Sequence, residues 1–172
     1  MTEALSLESL SLGGQPLLGP FLQRLRLRSF LDEALGPPDS RAKLPPVDSA
    51  LLLVRNFALC RHPLYGVPAW TRRFDPAQLE LDPEQLRLVN DDRLGRTLDR
   101  LFESDLRSLR TRLVVHMVRE FAVNLERLHN DSTSITFSGV YSEKPPRKDG
   151  RRRLRIVHGY NKDHRRDRDR TF

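Results

Sequence analysis

The chain has a single cysteine, Cys60, among 172 residues. One thiol excludes a disulfide framework within the monomer and any cysteine-rich zinc site, so a reducing, intracellular setting is the expectation. Long apolar runs are also missing. The longest, Ala50 to Val54, is far short of the ~20 residues that span a bilayer. The N-terminus carries Glu3 and Glu8 and no basic-then-apolar sequence, so it does not read as a secretory signal. A soluble protein with no membrane partner follows as an expectation. There is no glycine-rich phosphate loop, no His-Glu-x-x-His and no Gly-x-Ser-x-Gly, which removes the commonest nucleotide, zinc-protease and serine-hydrolase signatures. A hydrophobic share of 38% suffices for a small helical core, and the length suits one domain or one domain and part of another.

Positive charge is present but unevenly placed. Residues 141–172 carry 12 Lys/Arg against 5 Asp/Glu, whereas residues 1–140 carry 18 of each. A basic tail reads either as a solvated segment or as an electrostatic footprint for nucleic acid. Lysine is scarce (Lys43, Lys144, Lys148 and Lys162 only), and arginine suits forked contacts to phosphate.

Along the chain, residues 1–16 read as a loose arm that closes at Gly13-Gly14-Gln15-Pro16, with residues 1–11 outside the helical domain. Leu18, Phe21, Leu22 and Leu25 follow helical spacing, with Pro20 near the start. Ser29 to Leu35 is a second helix, stopped by Gly36-Pro37-Pro38. Ala50 to Leu59 is apolar nearly all round except Arg55 and Asn56, which predicts a buried central helix. Leu64, Val67, Trp70 and Phe74 suggest a further helical segment, weakened by Gly66 and Pro68. Asp75-Pro76 and Asp82-Pro83 each read as an N-cap followed by proline at the first helical position. Asn90 or Asp91 caps a helix whose apolar face is Leu94, Leu98, Leu101 and Phe102. Ser104 opens the longest helix, with a stripe of Leu106, Leu109, Leu113, Met117 and Phe121. His116 beside that stripe reads as a packed histidine before a ligand.

From Leu128 to Gly139 the pattern changes. The run is rich in β-branched and hydroxylated residues, has no helical period, and predicts a strand. His129, Asp131, Thr133, Ile135 and Phe137 then share one face. Asp131 is out of place inside a strand: it is either an Asx-type turn at an exposed start or a metal-binding carboxylate. Residues 143–150 are turn-rich, and Arg153 to Tyr160 alternates again, so a β-hairpin is expected. If its strands pair, His129, Asp131, His158, Asp163 and His164 converge loosely, a weak signal for a metal.

Three separated motifs carry a resemblance. Asn90-Asp91-Asp92-Arg93-Leu94-Gly95-Arg96-Thr97-Leu98-Asp99, Leu128-His129-Asn130-Asp131-Ser132-Thr133-Ser134 and Gly159-Tyr160-Asn161-Lys162-Asp163-His164-Arg165 are together similar to bacterial insertion-sequence transposases of the DDE type. Leu12-Gly13-Gly14, Pro16-Leu17-Leu18, Pro20-Phe21-Leu22 and Arg41-Ala42-Lys43-Leu44 extend the similarity through nearly the whole chain. That family places a helical N-terminal domain before an RNase H-like catalytic domain. The resemblance implies that Asp131 is the first catalytic carboxylate and a ligand of two Mg²⁺ ions shared with a second Asp and a Glu. It implies double-stranded DNA at the transposon ends as partner, with a homo-oligomer or a full-length transposase as a further one, and a bacterial, cytoplasmic, nucleoid-associated setting. Lys144, Arg147, Lys148, Arg151, Arg152, Arg153, Arg155, Lys162, His164 and Arg165 are the candidate DNA contacts.

The sequence also departs from that pattern. Only 41 residues follow Asp131, and Arg166 and Arg168-Asp169-Arg170 stand where the family has a proline and an apolar strand. The expectation is a mainly α-helical domain over residues 12–122, followed over 123–172 by a β-hairpin that starts an incomplete RNase H-like α/β domain. Catalysis by these residues alone is not expected, nor is stable Mg²⁺ binding. The alternatives are a non-catalytic DNA-binding or regulatory protein derived from a transposase, and a helical interaction domain with an accidental basic tail.

Overall fold

The structure, a computed structural model, describes residues 9–39 and 42–126. Contacts divide the chain into two units, Met1–Asn124 and Leu125–Phe172, and every element below belongs to the first. Seven α-helices and two 3-10 turns make up the described residues, which include no strand; Ser11 and Phe74 form one isolated bridge. The mainly helical reading holds for this part. The expected β-hairpin lies outside the described residues, as do residues 1–8 of the N-terminal arm.

The first helix, α1 (Gln15–Arg24), starts earlier than the leucine spacing suggested. Gln15 and Pro16 belong to its first turn rather than to a loose arm. Pro20 sits inside the helix, not near its start. It forfeits one hydrogen bond to the preceding turn, which an exposed position on a ten-residue helix tolerates. Arg26 adopts the left-handed conformation (φ 52°) and separates α1 from α2 (Leu27–Leu35). Leu27, Leu31 and Leu35 recur at every fourth position and are all buried.

The central helix is α3 (Pro46–Leu59), and the sequence reading of its polarity needs correcting. Ala50, Leu51 and Leu52 are buried as expected, but so are Val47 in the earlier first turn and Arg55 and Asn56, whereas Phe57 is 70% exposed. On a helix that is apolar nearly all round, the neighbours decide which side faces water. Here α1 and the 3-10 turn beyond α4 supply polar partners for Arg55, so the charged residue lies inside.

After α3 come the 3-10 turn Leu64–Gly66, α4 (Val67–Thr71), the 3-10 turn Pro76–Leu79, α5 (Pro83–Arg87), α6 (Asp91–Glu103) and α7 (Leu106–Glu120). Their starts follow the local chemistry. Asp75 accepts from the Ala77 N–H, Asp82 and Gln85 form a reciprocal capping box, and Asn90 accepts from the Arg93 N–H. Asp105 rather than Ser104 caps α7, accepting from the Ser108 N–H, while Ser104 closes α6.

Two cores flank α3. Leu52, Val67, Trp70, Phe74, Leu79 and Leu94 form one, with Trp70 and Phe74 edge to face at 5.3 Å. The other gathers Leu31, Leu35, Val47 and Leu51, against which Leu109, Leu113, Met117 and Phe121 of α7 pack. The expected α7 stripe is therefore present apart from Leu106, which is 42% exposed. The α6 face is rotated from the expected one: Leu94 and Thr97 are buried, whereas Leu98 and Phe102 are exposed. Arg100 explains part of the rotation, because its guanidinium donates to the Leu35 and Pro37 carbonyls at 2.7 and 2.6 Å. The Leu35 carbonyl is an end-of-helix acceptor of α2 that would otherwise want a partner. Arg112 of α7 grips Glu33 of α2 with both nitrogens, at 2.7 and 2.5 Å. That bond holds the Glu33 carboxyl below its ordinary range and the Arg112 guanidinium above its own.

Candidate nucleic-acid interface

Asp131, the expected catalytic and metal-binding carboxylate, lies outside the described residues. So do the expected DNA contacts Lys144, Arg147, Lys148, Arg151, Arg152, Arg153, Arg155, Lys162, His164 and Arg165, and the companions His129, His158 and Asp163. Of the motifs that carry the transposase resemblance, Asn90 to Asp99 falls in described structure. Its acidic start has a local explanation: Asn90 is the cap, and Asp91 and Asp92 sit in the first turn of α6, where the helix dipole favours negative charge. Asp92 also pairs with Arg96 one turn on.

A basic surface that the charge totals hid is built at the end of α3. Residues 49–74 contain Arg55, Arg61, Arg72 and Arg73 and no Asp or Glu. Asn56 organises this end. Its amide oxygen accepts from the His62 N–H at 3.0 Å, and its amide nitrogen donates to the His62 carbonyl at 2.8 Å. The loop so closed holds Arg61 at φ 58°. The Arg61 guanidinium lies 5.5 Å from the centre of the Phe57 ring, and His62 lies beside Trp70. Tyr65, in the following turn, is 78% exposed. The N-terminal segment ties the Arg73 backbone to the end of α3. Ser11 donates to the Arg73 carbonyl at 2.6 Å, and Gly14 packs on Leu59 so closely that a Cβ there would stand 2.6 Å from Leu59 Cδ2.

Scattered arginines and single exposed aromatics are ordinary on a soluble surface. Three features lift this group above that baseline: no acid interrupts it, an arginine stacks on an exposed ring, and a hydrogen-bonded loop fixes the geometry. Cations for phosphates and flat rings for bases are what a nucleic-acid surface requires. The acid-free stretch was legible in the sequence, but a balance taken over residues 1–140 averaged it away.

The asparagine gives a direct test of the local architecture. Asn56 is 6% exposed, and alanine would remove both of its bonds to the His62 backbone and leave a void at the end of α3. We expect Asn56→Ala to cost about 2–3 kcal/mol in urea unfolding. A loss under ~0.5 kcal/mol would show that the loop is held by other means.

A second polar assembly lies beneath α1. Arg55, 1% exposed, donates to Gln15 Oε1 at 2.9 Å and to Glu80 Oε1 at 2.8 Å. Arg28 donates to Asp48 Oδ1 at 2.7 Å. Burial pushes the Arg55 pKa down while Glu80 opposes it. The Arg55 Nε and Gln15 Nε2 atoms have no partner among the described residues. None of these groups is a metal centre: no cluster of three or more His, Cys, Asp or Glu suited to a cation occurs among the described residues. His116, expected as a packed core histidine, is half-buried at the edge of the core, with Nε2 3.1 Å from the Arg24 carbonyl and its ring against Phe30. Cys60 is exposed. Among the described residues no helix is long and apolar enough to cross a membrane.

Neither the curated proteins nor the solved structures contain a match to this chain. Residues 7–115, which run from the N-terminal segment to the middle of α7, match a family model described as a domain of unknown function, DUF4277, and the chain belongs to that family.

Proposed function

We propose that the chain is the N-terminal portion of an insertion-sequence transposase and that its helical domain binds transposon-end DNA. The observation that carries the DNA-binding part is the Arg61 guanidinium over the exposed Phe57 ring, with Tyr65 exposed in the next turn, in a stretch (residues 49–74) that holds Arg72 and Arg73 and no acid. The transposition part rests on the resemblance of the Asn90–Asp99, Leu128–Ser134 and Gly159–Arg165 motifs. Under this reading the basic residues after Ser142 add phosphate contacts, and Asp131 is one carboxylate of a Mg²⁺ site that requires others.

Salt titration of duplex binding tests the proposal. Each neutralised phosphate contributes ~0.9 to the slope of log affinity against log salt. The combined Arg61→Gln, Arg72→Gln, Arg73→Gln variant should therefore lose about 2–3 units of slope if each arginine meets one phosphate. Deleting residues 141–172 should remove most of the remaining non-specific affinity. An unchanged slope in the triple variant, with its helical circular dichroism intact, takes the α3 end out of the interface.

A further inference from the structure

The first turn of α2 is open to an anion. Its N-cap, Arg26, offers no side-chain acceptor, and the turn carries no acidic residue. The first N–H groups of a helix have no acceptor within it, and the dipole concentrates partial positive charge there. A cavity of about 200 Å³ lies at this terminus, walled in part by Arg26, Arg28, Ser29, Arg55 and Glu80. Arg55, all but fully buried, keeps its Nε unspent among the described residues.

One acid, Glu80, stands on the wall against three guanidinium groups. Its Oε1 accepts from Arg55, but its Oε2 is 3.6 Å from Arg28 Nη2, too long for a hydrogen bond. Asp48 answers Arg28 from its other side. Glu80 is also 30% exposed, so its carboxylate can turn to water without being stranded. Three guanidinium groups thus face one wall carboxylate, whose Oε1 is held by Arg55 and Gln23 while its Oε2 has only the longer approach of Arg28.

We propose that this cavity binds a phosphate group, which takes donors from Arg26, Arg28 and the Ser29 hydroxyl at the α2 terminus while Glu80 withdraws toward solvent. The volume exceeds that of several waters at ~30 Å³ each, which leaves room for a tetrahedral oxyanion. Helix termini flanked by arginine are built for such a group. The phosphate comes either from a DNA backbone or from solution, and the proposal stands independently of the α3 interface.

Thermal unfolding of the full chain, titrated with inorganic phosphate at constant ionic strength, tests it. In the unaltered chain phosphate should raise the Tm, by about 3–5 °C at tenfold excess over its Kd. Glu80→Gln removes the competing carboxylate and should give the same rise at about tenfold lower phosphate. Arg28→Gln takes the partner from buried Asp48 and so lowers the phosphate-free Tm, but measured against that lower starting point it should abolish the phosphate-induced rise. Absence of any rise in both the unaltered chain and Glu80→Gln overturns the proposal, and so does a rise that Arg28→Gln leaves intact. Duplex DNA titrated against the same variants identifies the source. Tighter DNA binding by Glu80→Gln assigns the phosphate to the backbone; a change confined to inorganic phosphate assigns it to solution. Loss of the phosphate response with salt-dependent DNA binding preserved would remove this cavity and leave the α3 interface standing.

Discussion

Trp70→Ala is expected to lower the stability of the helical domain by about 3–5 kcal/mol, a large share of the ~5–15 kcal/mol that holds most domains folded. Trp70 is 3% exposed and stands at the centre of the first core, edge to face with Phe74 and beside His62. Alanine would leave a void where α4 meets α3 and α6, and α4, at five residues, has too few other contacts to collapse onto it. The indole N–H has no acceptor among the described residues. Trp70→Phe therefore sacrifices volume but no hydrogen bond, and its loss should stay below ~1.5 kcal/mol. Urea unfolding of the two variants decides the matter. Equal losses would mean that the site tolerates emptying, and that the packing around Trp70 is looser than its burial indicates.

The parts of this fold that the sequence disclosed are those decided within a few residues. Asp75-Pro76, Asp82-Pro83 and Asn90 announced helix starts because a cap is a bond between near neighbours, and all three caps form. The α7 stripe was legible because one period of 3.6 residues runs through it. What escaped was decided by distant partners. Arg55 and Phe57 exchange their expected places because Gln15 and Glu80, 40 and 25 residues away, converge on the arginine. The α6 face turned because Arg100 reaches back to carbonyls 65 and 63 residues earlier. No local pattern contains such pairings. The candidate interface shows a different limit. Its residues were visible one by one, but a neutral total over residues 1–140 says nothing of how charge is spread over a surface.

Arg55 itself should separate the role of a buried charge from that of the volume it fills. Arg55→Ala is expected to cost about 3–4 kcal/mol. The guanidinium ties α1 through Gln15 and the segment after Pro76–Leu79 through Glu80 to the middle of α3, and alanine both breaks these ties and opens a cavity. The loss should fall toward the lower end of what severing a buried ion pair costs, because Glu80 can turn to water whereas Gln15, 1% exposed, cannot. Arg55→Met keeps most of the volume and removes a charge whose burial already pushes its pKa down. A well-packed apolar replacement of a desolvated cation is commonly near neutral. The Met variant should accordingly lose no more than ~1.5 kcal/mol, most of it from the stranded Gln15 amide. Urea denaturation of the pair provides the comparison. If Met proves as damaging as Ala, the ion pair with Glu80 and the bond to Gln15 hold α1 and α3 together, and packing is secondary. If both are mild, the arginine is not a fastening at all, and its bonds to Gln15 and Glu80 do no more than offset the cost of burying it.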